Sequence, residues 1–96
     1  MSWEILYHPE VADDLDGLGR AEAARAMRVI EDRIRLGEPD KIGKPLHGNL
    51  AGYRRLRTGS LRIVYRPNID TIEVIIVAVG MRREFEVYLK AERRAI

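Results

Sequence analysis

Residues 52–65, GYRRLRTGSLRIVY, decide the fold, because two runs of alternating polarity flank a turn and the pairing between them sets which side chains share a face. A two-residue loop at Thr58-Gly59 pairs Arg57 with Ser60, Leu56 with Leu61, Arg55 with Arg62 and Arg54 with Ile63. One face then carries Leu56, Leu61 and Ile63, and the other carries Arg55, Arg57 and Arg62. A three-residue loop would set Leu56 opposite Arg62 and mix the faces. In the preferred register Arg55 faces Arg62 directly, and like charges opposite each other in a sheet repel. A bound anion, or an acid such as Glu73 or Glu84, would relieve that repulsion.

Working outward from the hairpin, residues Ile72–Val79 are apolar on both parities, which predicts a strand covered on both faces. With strands at about Gly52–Arg57 and Leu61–Arg66, it makes an antiparallel meander, the second turn being Pro67-Asn68-Ile69-Asp70. Upstream, Trp3–Tyr7 alternates as a short first strand. Pro9 and Glu10 open a helix striped by Val11, Leu15 and Leu18 and ended by Gly17 and Gly19. A second helix spans Arg20–Leu36, with Ala23, Met27, Ile30 and Ile34 on one face, and stops at Gly37 and Pro39. Glu38–Leu50 reads as a connecting loop. Met81–Arg94 reads as a helix in which Phe85 and Leu89 lie four apart. The expected architecture is α+β: two N-terminal helices packed on a small, mainly antiparallel sheet in the order β-α-α-β-β-β, with a short C-terminal helix.

Ninety-six residues, 46% hydrophobic and 33% charged, suit one core and a single domain over 1–96. There is no cysteine, and His8 and His47 have no partner at metal-ligand spacing, so neither disulfide, metal nor other cofactor is expected. The first eight residues contain an acid and no basic segment, and no apolar run approaches membrane-spanning length. A chain acting in the cytoplasm, away from membranes, is the expectation. The net charge of +2 hides an asymmetry. Residues 1–40 carry ten acids against five arginines, a balance of −5, whereas residues 41–96 carry twelve Lys and Arg against five acids, a balance of +7. A basic half built of strands suggests a surface for a polyanion. Asp13, Asp14 and Asp16 read as a solvated helix face. Arg82 and Arg83 extend the basic patch beyond the third strand of the meander, and Tyr88 offers a ring on which a base can stack.

The run KPLHGNLAGYRRLRTG (44–59), with LRIVY (61–65), VAVGMRRE (77–84) and Tyr88, resembles the RelE/ParE superfamily of bacterial and archaeal toxins over nearly the whole chain. Within it, RelE-like members cleave messenger RNA in the ribosomal A site, and ParE-like members inhibit DNA gyrase without cutting nucleic acid. The tail tilts the resemblance toward RelE. Arg82 looks like the RelE catalytic arginine, Tyr88 like its stacking tyrosine and Arg62 like its second arginine. Where the RelE pattern has lysines, this chain has arginines; Arg55 is the nearest match and Arg54 a poorer one. The resemblance thus implies Arg55, Arg62, Arg82 and Tyr88 as catalytic residues, and Lys44, Arg54, Arg57 and Arg83 as nucleic-acid contacts. It also implies a cognate antitoxin that covers the basic face or displaces the last helix, with ribosome and mRNA as further partners. Arginine stays protonated, so these side chains serve as electrostatic stabilisers. The proton acceptor is left open between Glu84, Glu86 and positioning by the ribosome. The alternatives are a gyrase inhibitor without catalysis and an inactive binding module derived from a toxin.

Overall fold

In the computed structural model, which describes residues 2–95, the central hairpin turns one residue later than the sequence reading places it. Strand β3 (Arg54–Thr58) pairs with β4 (Leu61–Asn68) so that Thr58 opposes Leu61, Arg57 opposes Arg62, Leu56 opposes Ile63, Arg55 opposes Val64 and Arg54 opposes Tyr65. The loop is Gly59-Ser60. Gly59 takes φ +58 at its first position, a conformation that a β-branched threonine resists, and this places the turn. Arg55 therefore does not face Arg62 as expected; Arg57 does. Moving the turn by one residue changes each partner by two, so the division into an apolar and a basic face survives.

The remaining elements are β1 (Glu4–Tyr7), α1 (Val11–Leu18), α2 (Arg20–Val29), β2 (Lys44–Pro45), β5 (Glu73–Met81) and α3 (Glu84–Arg94). The sheet order is β1-β5-β4-β3-β2, with β1 parallel to β5 and the other neighbours antiparallel. This is the expected α+β architecture. Its boundaries differ in several places: α1 starts at Val11 and not at Pro9, β3 starts at Arg54 and not at Gly52, and β4 runs to Asn68, into the expected second turn. Helix α2 gives way at Ile30 to a π-helical segment, Ile30–Arg35. Gly17 lies inside α1, and Gly19, at φ +85, separates the two helices. The segment 38–50 holds β2 and a short 3₁₀ turn, Gly48–Leu50. Finally, β5 runs through Met81, so α3 starts only at Glu84. Among the described residues no helix is long and apolar enough to cross a membrane.

The two faces of the sheet are buried by different helices. On one, Leu56, Leu61, Ile63, Tyr65, Val74, Ile76 and Val79 pack with Val11, Ala26, Ile30 and Ile34. The buried stripe of the second helix thus runs through Ala26, and Met27 is exposed. On the other, Val64, Val77 and Ala78 pack with Leu50, Tyr53, Val87 and Ala91. Strand β5 is consequently covered on both sides, as its composition requires. Phe85 and Leu89 fall on the outer face of α3, and Phe85 is 73% exposed.

Arg54, opposite Tyr65, belongs to the side covered by α1 and α2, and not to the basic face on the α3 side. Its Nε donates to the Ile42 carbonyl at 2.7 Å and its Nη2 to that of Gly43 at 3.3 Å. The Tyr65 hydroxyl donates to the Pro39 carbonyl at 2.8 Å, and burial pushes its pKa up to about 12. Arg54 and Tyr65 together tie down the chain that leads into β2.

A second correction concerns Asp14, which is not part of a solvated face. Its side chain is 2% exposed and that of Arg94 is 3% exposed. Arg94 Nη1 donates to Asp14 Oδ2 at 2.7 Å and Nη2 to Oδ1 at 3.0 Å. The same Oδ2 accepts from the Val79 N–H at 3.0 Å, and Arg94 Nη1 also reaches the Val77 carbonyl at 3.0 Å. Lys90 Nζ lies 3.4 Å from Oδ1. Burial acts to raise the Asp14 carboxyl, but the bonds from Arg94 and Val79 and the charges of Arg94 and Lys90 outweigh it and hold the pKa below its ordinary value.

These contacts set the cost of losing each group. Replacing Arg94 with Met should cost about 3–5 kcal/mol in urea unfolding, because it strands a buried carboxylate. A group whose pKa is lower when folded stabilises fully above its unfolded pKa and loses that contribution as pH falls through the folded one. The Asp14 contribution should therefore be present at neutral pH and disappear in acid below about pH 4, a loss that Asp14→Asn should remove from the pH dependence. Arg54→Ala should lower stability by about 1–3 kcal/mol through two lost charge-assisted bonds, and should leave the affinity for polyanions unchanged in a binding titration.

Candidate functional site

Face parity brings Arg55, Arg57 and Arg62 to the α3 side of the sheet, where Arg57 and Arg62 are direct neighbours and Arg55 lies diagonal to Arg62. The side chains of Arg55 and Arg62 are each 12% exposed. Three guanidinium groups so close repel one another unless an anion intervenes. Glu84, the first residue of α3, supplies it. Its Oε1 accepts from Arg55 Nη1 at 2.5 Å and from Arg62 Nε at 2.8 Å, and Arg57 Nη1 lies 3.8 Å away. Of the two acids that the sequence offers for this role, Glu84 and not Glu73 is the neutraliser.

Local backbone features set this reach. Gly80 pairs with Arg62 across β4 and β5, and a Cβ there would collide with Val87, so only glycine lets the first turn of α3 lie so close to the sheet. Arg82 then turns the chain at φ +62, and its N–H donates to the Ser60 carbonyl at 2.7 Å. Arg62 Nη1 meanwhile donates to the Gly59 carbonyl at 2.8 Å. Arg62 and the Arg82 backbone therefore hold the same hairpin tip. The Arg82 side chain is exposed above it, with Nε 3.5 Å from Ser60 Oγ.

Tyr88 follows Glu84 by one helical turn. Its ring packs against the cluster that contains Val64, Val87 and Ala91, and its hydroxyl donates to Glu84 Oε2 at 3.4 Å. The residue thus combines a ring seated on the core with a hydroxyl turned to the arginines. Burial acts to raise the Glu84 carboxyl, yet the hydrogen bonds and charges of Arg55 and Arg62 outweigh it and hold the pKa below the usual carboxylate range. Burial, with the charge of Glu84, raises that of Tyr88. At neutral pH the site is three guanidinium groups, one carboxylate and one protonated phenol, a net excess of positive charge beneath the start of a helix.

The remaining candidates are placed less centrally. Lys44 pairs with Arg55 across β2 and β3 and is exposed at the rim of the same face. Arg83 is exposed and bonded to Glu86 at 3.1 Å, which removes Glu86 from the cluster. Arg54 lies on the opposite face. Chemically, the assembly can bind an anion, stabilise charge that develops on it and donate a proton or hydrogen bond through Tyr88.

Comparison with known proteins bears on the family and the fold. The family described as the ParE toxin of type II toxin-antitoxin systems matches residues 5–84, ending at the first residue of α3. The toxin-antitoxin complex RelBE2 from Mycobacterium tuberculosis contains a chain superposable at TM-score 0.78 with 27% identity, over 85% of this chain and 100% of that one. The free RelE toxin of E. coli, an arginine-to-alanine double mutant, superposes at TM-score 0.78 with 18% identity over the full length of both. The archaeal RelE–RelB complex from Pyrococcus horikoshii gives 0.60 with 24% identity, over 86% of this chain and 98% of that one. The latter two likenesses establish the fold alone. No curated protein sequence matches the chain. With a family match spanning most of its length and a fold shared with RelE toxins, the chain belongs to the RelE/ParE superfamily of type II toxin-antitoxin toxins.

Proposed function

We propose that this toxin is a ribosome-dependent endoribonuclease that cuts messenger RNA in the A site by metal-independent attack of a 2′-hydroxyl, and so inhibits translation. The observation that carries the proposal is the convergence of Arg55, Arg57 and Arg62 on one point, with Tyr88 beside it and Arg82 exposed at the hairpin tip. In such a cleavage the 2′-hydroxyl gives up its proton to a base, its oxygen bonds the scissile phosphorus while the bond to the 5′-oxygen breaks, the phosphorane gains negative charge, and the leaving 5′-oxygen takes up a proton. Arg55 and Arg62 stabilise the phosphorane, and Arg82 lies nearest the leaving group. Tyr88 stacks on a base, with its hydroxyl near the phosphate. Lys44, Arg57 and Arg83 steer and hold the RNA backbone. The toxin acts in the cytoplasm as a single domain and is held inactive in a hetero-oligomer with a cognate antitoxin. The RelBE2 and archaeal RelE–RelB complexes, in which such chains sit with antitoxins, support that partner.

A second reading, gyrase inhibition without catalysis, is favoured by the match of residues 5–84 to the ParE toxin family and by one feature of the site. Glu84 engages Arg55 and Arg62 within the chain itself, which suits arginines that serve only the fold. Two assays separate the readings. Purified toxin is added to a cell-free translation reaction with primer extension on the message, and in parallel to a gyrase supercoiling reaction. Cuts positioned by codon support the ribonuclease, and a block of supercoiling without cuts supports the inhibitor.

On the ribonuclease reading, Arg82→Ala should lower the cleavage rate by about 10²–10³-fold, the scale for loss of one transition-state donor, with an unchanged melting temperature. Tyr88 separates stacking from hydroxyl chemistry. Tyr88→Phe should keep nearly full activity if the ring only stacks, and fall to an intermediate rate if the hydroxyl also bonds the phosphate. Tyr88→Ala should lose about ten- to a hundredfold through stacking. Measuring melting temperature with cleavage for both variants identifies any loss that merely tracks unfolding.

A further inference from the structure

Glu84 satisfies the arginines incompletely. One carboxylate oxygen takes both short contacts, from Arg55 and Arg62, while Arg57 at 3.8 Å is beyond hydrogen-bond reach. The buried Nε of Arg55 has no partner at all. Each guanidinium presents five N–H donors, so three of them around one carboxylate leave donors in excess. A phosphodiester carries the same single charge, also on two oxygens, but adds bridging ester oxygens around a tetrahedral phosphorus, so its acceptors point out of one plane toward donors that converge from several directions.

The Glu84 side chain also has an open path to solvent. It is 30% exposed, its second oxygen is held only by Tyr88 at 3.4 Å, and it stands on the first residue of α3, where no side chain caps the helix. Rotation about its own side-chain torsions moves the carboxylate into water without unwinding the helix. Leu61, Ile63 and Tyr65, which fix the strand beneath, are fully buried and remain in place.

We infer that Glu84 is a built-in occupant of a phosphodiester site: its carboxylate stands among Arg55, Arg57 and Arg62 where a backbone phosphate of single-stranded RNA binds, and it swings out when the strand enters. The inference rests on the arginine face being the RNA-binding face, as proposed above. Because the carboxylate is tethered, it competes at high effective concentration. A lone phosphate gains too little to displace it. A polynucleotide, which also engages exposed Lys44 and Arg82, gains enough. Glu84 thus makes the site selective for a strand over the small phosphates around it.

The test uses Glu84→Gln, a nearly isosteric change that removes the competing charge. Binding of a short 2′-O-methyl RNA, which cannot be cleaved, is followed by fluorescence anisotropy at low salt, and binding of inorganic phosphate by NMR titration. The variant should bind the RNA about ten- to a hundredfold more tightly than wild type, the scale of one charge-assisted hydrogen bond, and should gain measurable phosphate binding. Adding Arg62→Ala should abolish the gain. Equal or weaker binding by folded Glu84→Gln overturns the inference. So does an equal gain for an oligoglutamate peptide of matched charge, since the site would then be for carboxylates. Should the variant not fold, the wild-type Glu84 carboxyl carbon resonance decides: it should move toward a solvent-exposed value on saturation with the RNA, and a fixed resonance overturns the inference. No ribosome enters these measurements. A protein that shows the gain but never cuts message loses the ribonuclease reading and keeps this one, and one that cuts without the gain does the reverse.

Discussion

The structure depends on how β5 ends its pairing on the β1 side. Strand β1 has four residues and β5 nine, and the parallel pairing reaches only Ile76. Beyond it, the Val77 carbonyl and the Val79 N–H would face a buried space with no strand to meet them, at about 1–3 kcal/mol for each unsatisfied group. Asp14 and Arg94 provide the missing partners: the carboxylate accepts from Val79, the guanidinium donates to Val77, and the two side chains bond each other. They replace the missing continuation of β1. In doing so they join α1 and α3, which pack on opposite faces of the sheet, around its edge. A buried ion pair need not stabilise a protein, and replacing one with apolar groups is often neutral. Here that substitution would leave the strand edge open, which gives this pair a structural role that an apolar pair cannot fill.

The site inherits its geometry from that anchor. Arg94 fixes the far end of α3, and Gly80 lets its near end approach the sheet, so Glu84 and Tyr88 are delivered over the arginines one helical turn apart. The arginines themselves are placed by the hairpin. Sliding the turn by one residue on both strands preserves faces but changes neighbours, and the outcome places Arg57 beside Arg62 with Arg55 diagonal. That geometry lets a single oxygen reach both Arg55 and Arg62.

Parity makes the basic face legible in the sequence, since Arg55, Arg57 and Arg62 share it in either position of the turn. The individual partners are not legible in the same way, because they depend on which residue accepts φ +58, and that residue is Gly59 where the two-residue loop expected from the sequence would put Thr58. Asp14 and Arg94 leave a usable signal. Asp14 stands on the stripe of Val11, Leu15 and Leu18, and Arg94 continues that of Val87 and Ala91. The general rule that charges face water argues against reading it, and their partnership spans 80 residues, beyond the reach of local pattern. Strand β2, two residues long and containing a proline, carries no periodicity to read. Glu84 is legible as a neutraliser, but its central position is not, because it rests on the close approach of α3 at Gly80.

Helix α3 thus ends in two ion clusters of opposite character. At its C-terminal end the pair is nearly inaccessible, and water cannot take over either partner without opening the edge of β5. At its N-terminal end the carboxylate is partly solvated and holds its arginines through one oxygen, so an incoming anion can replace it stepwise. This asymmetry bears on the two ways an antitoxin is expected to act. Displacing α3 would expose Val87 and Ala91 and leave the Val77 carbonyl and Val79 N–H without partners unless the antitoxin supplied them. Covering the basic face asks only that one exchangeable carboxylate be matched or displaced. An acidic segment can do that at little cost to the fold, and because its grip is electrostatic, it should weaken as salt rises.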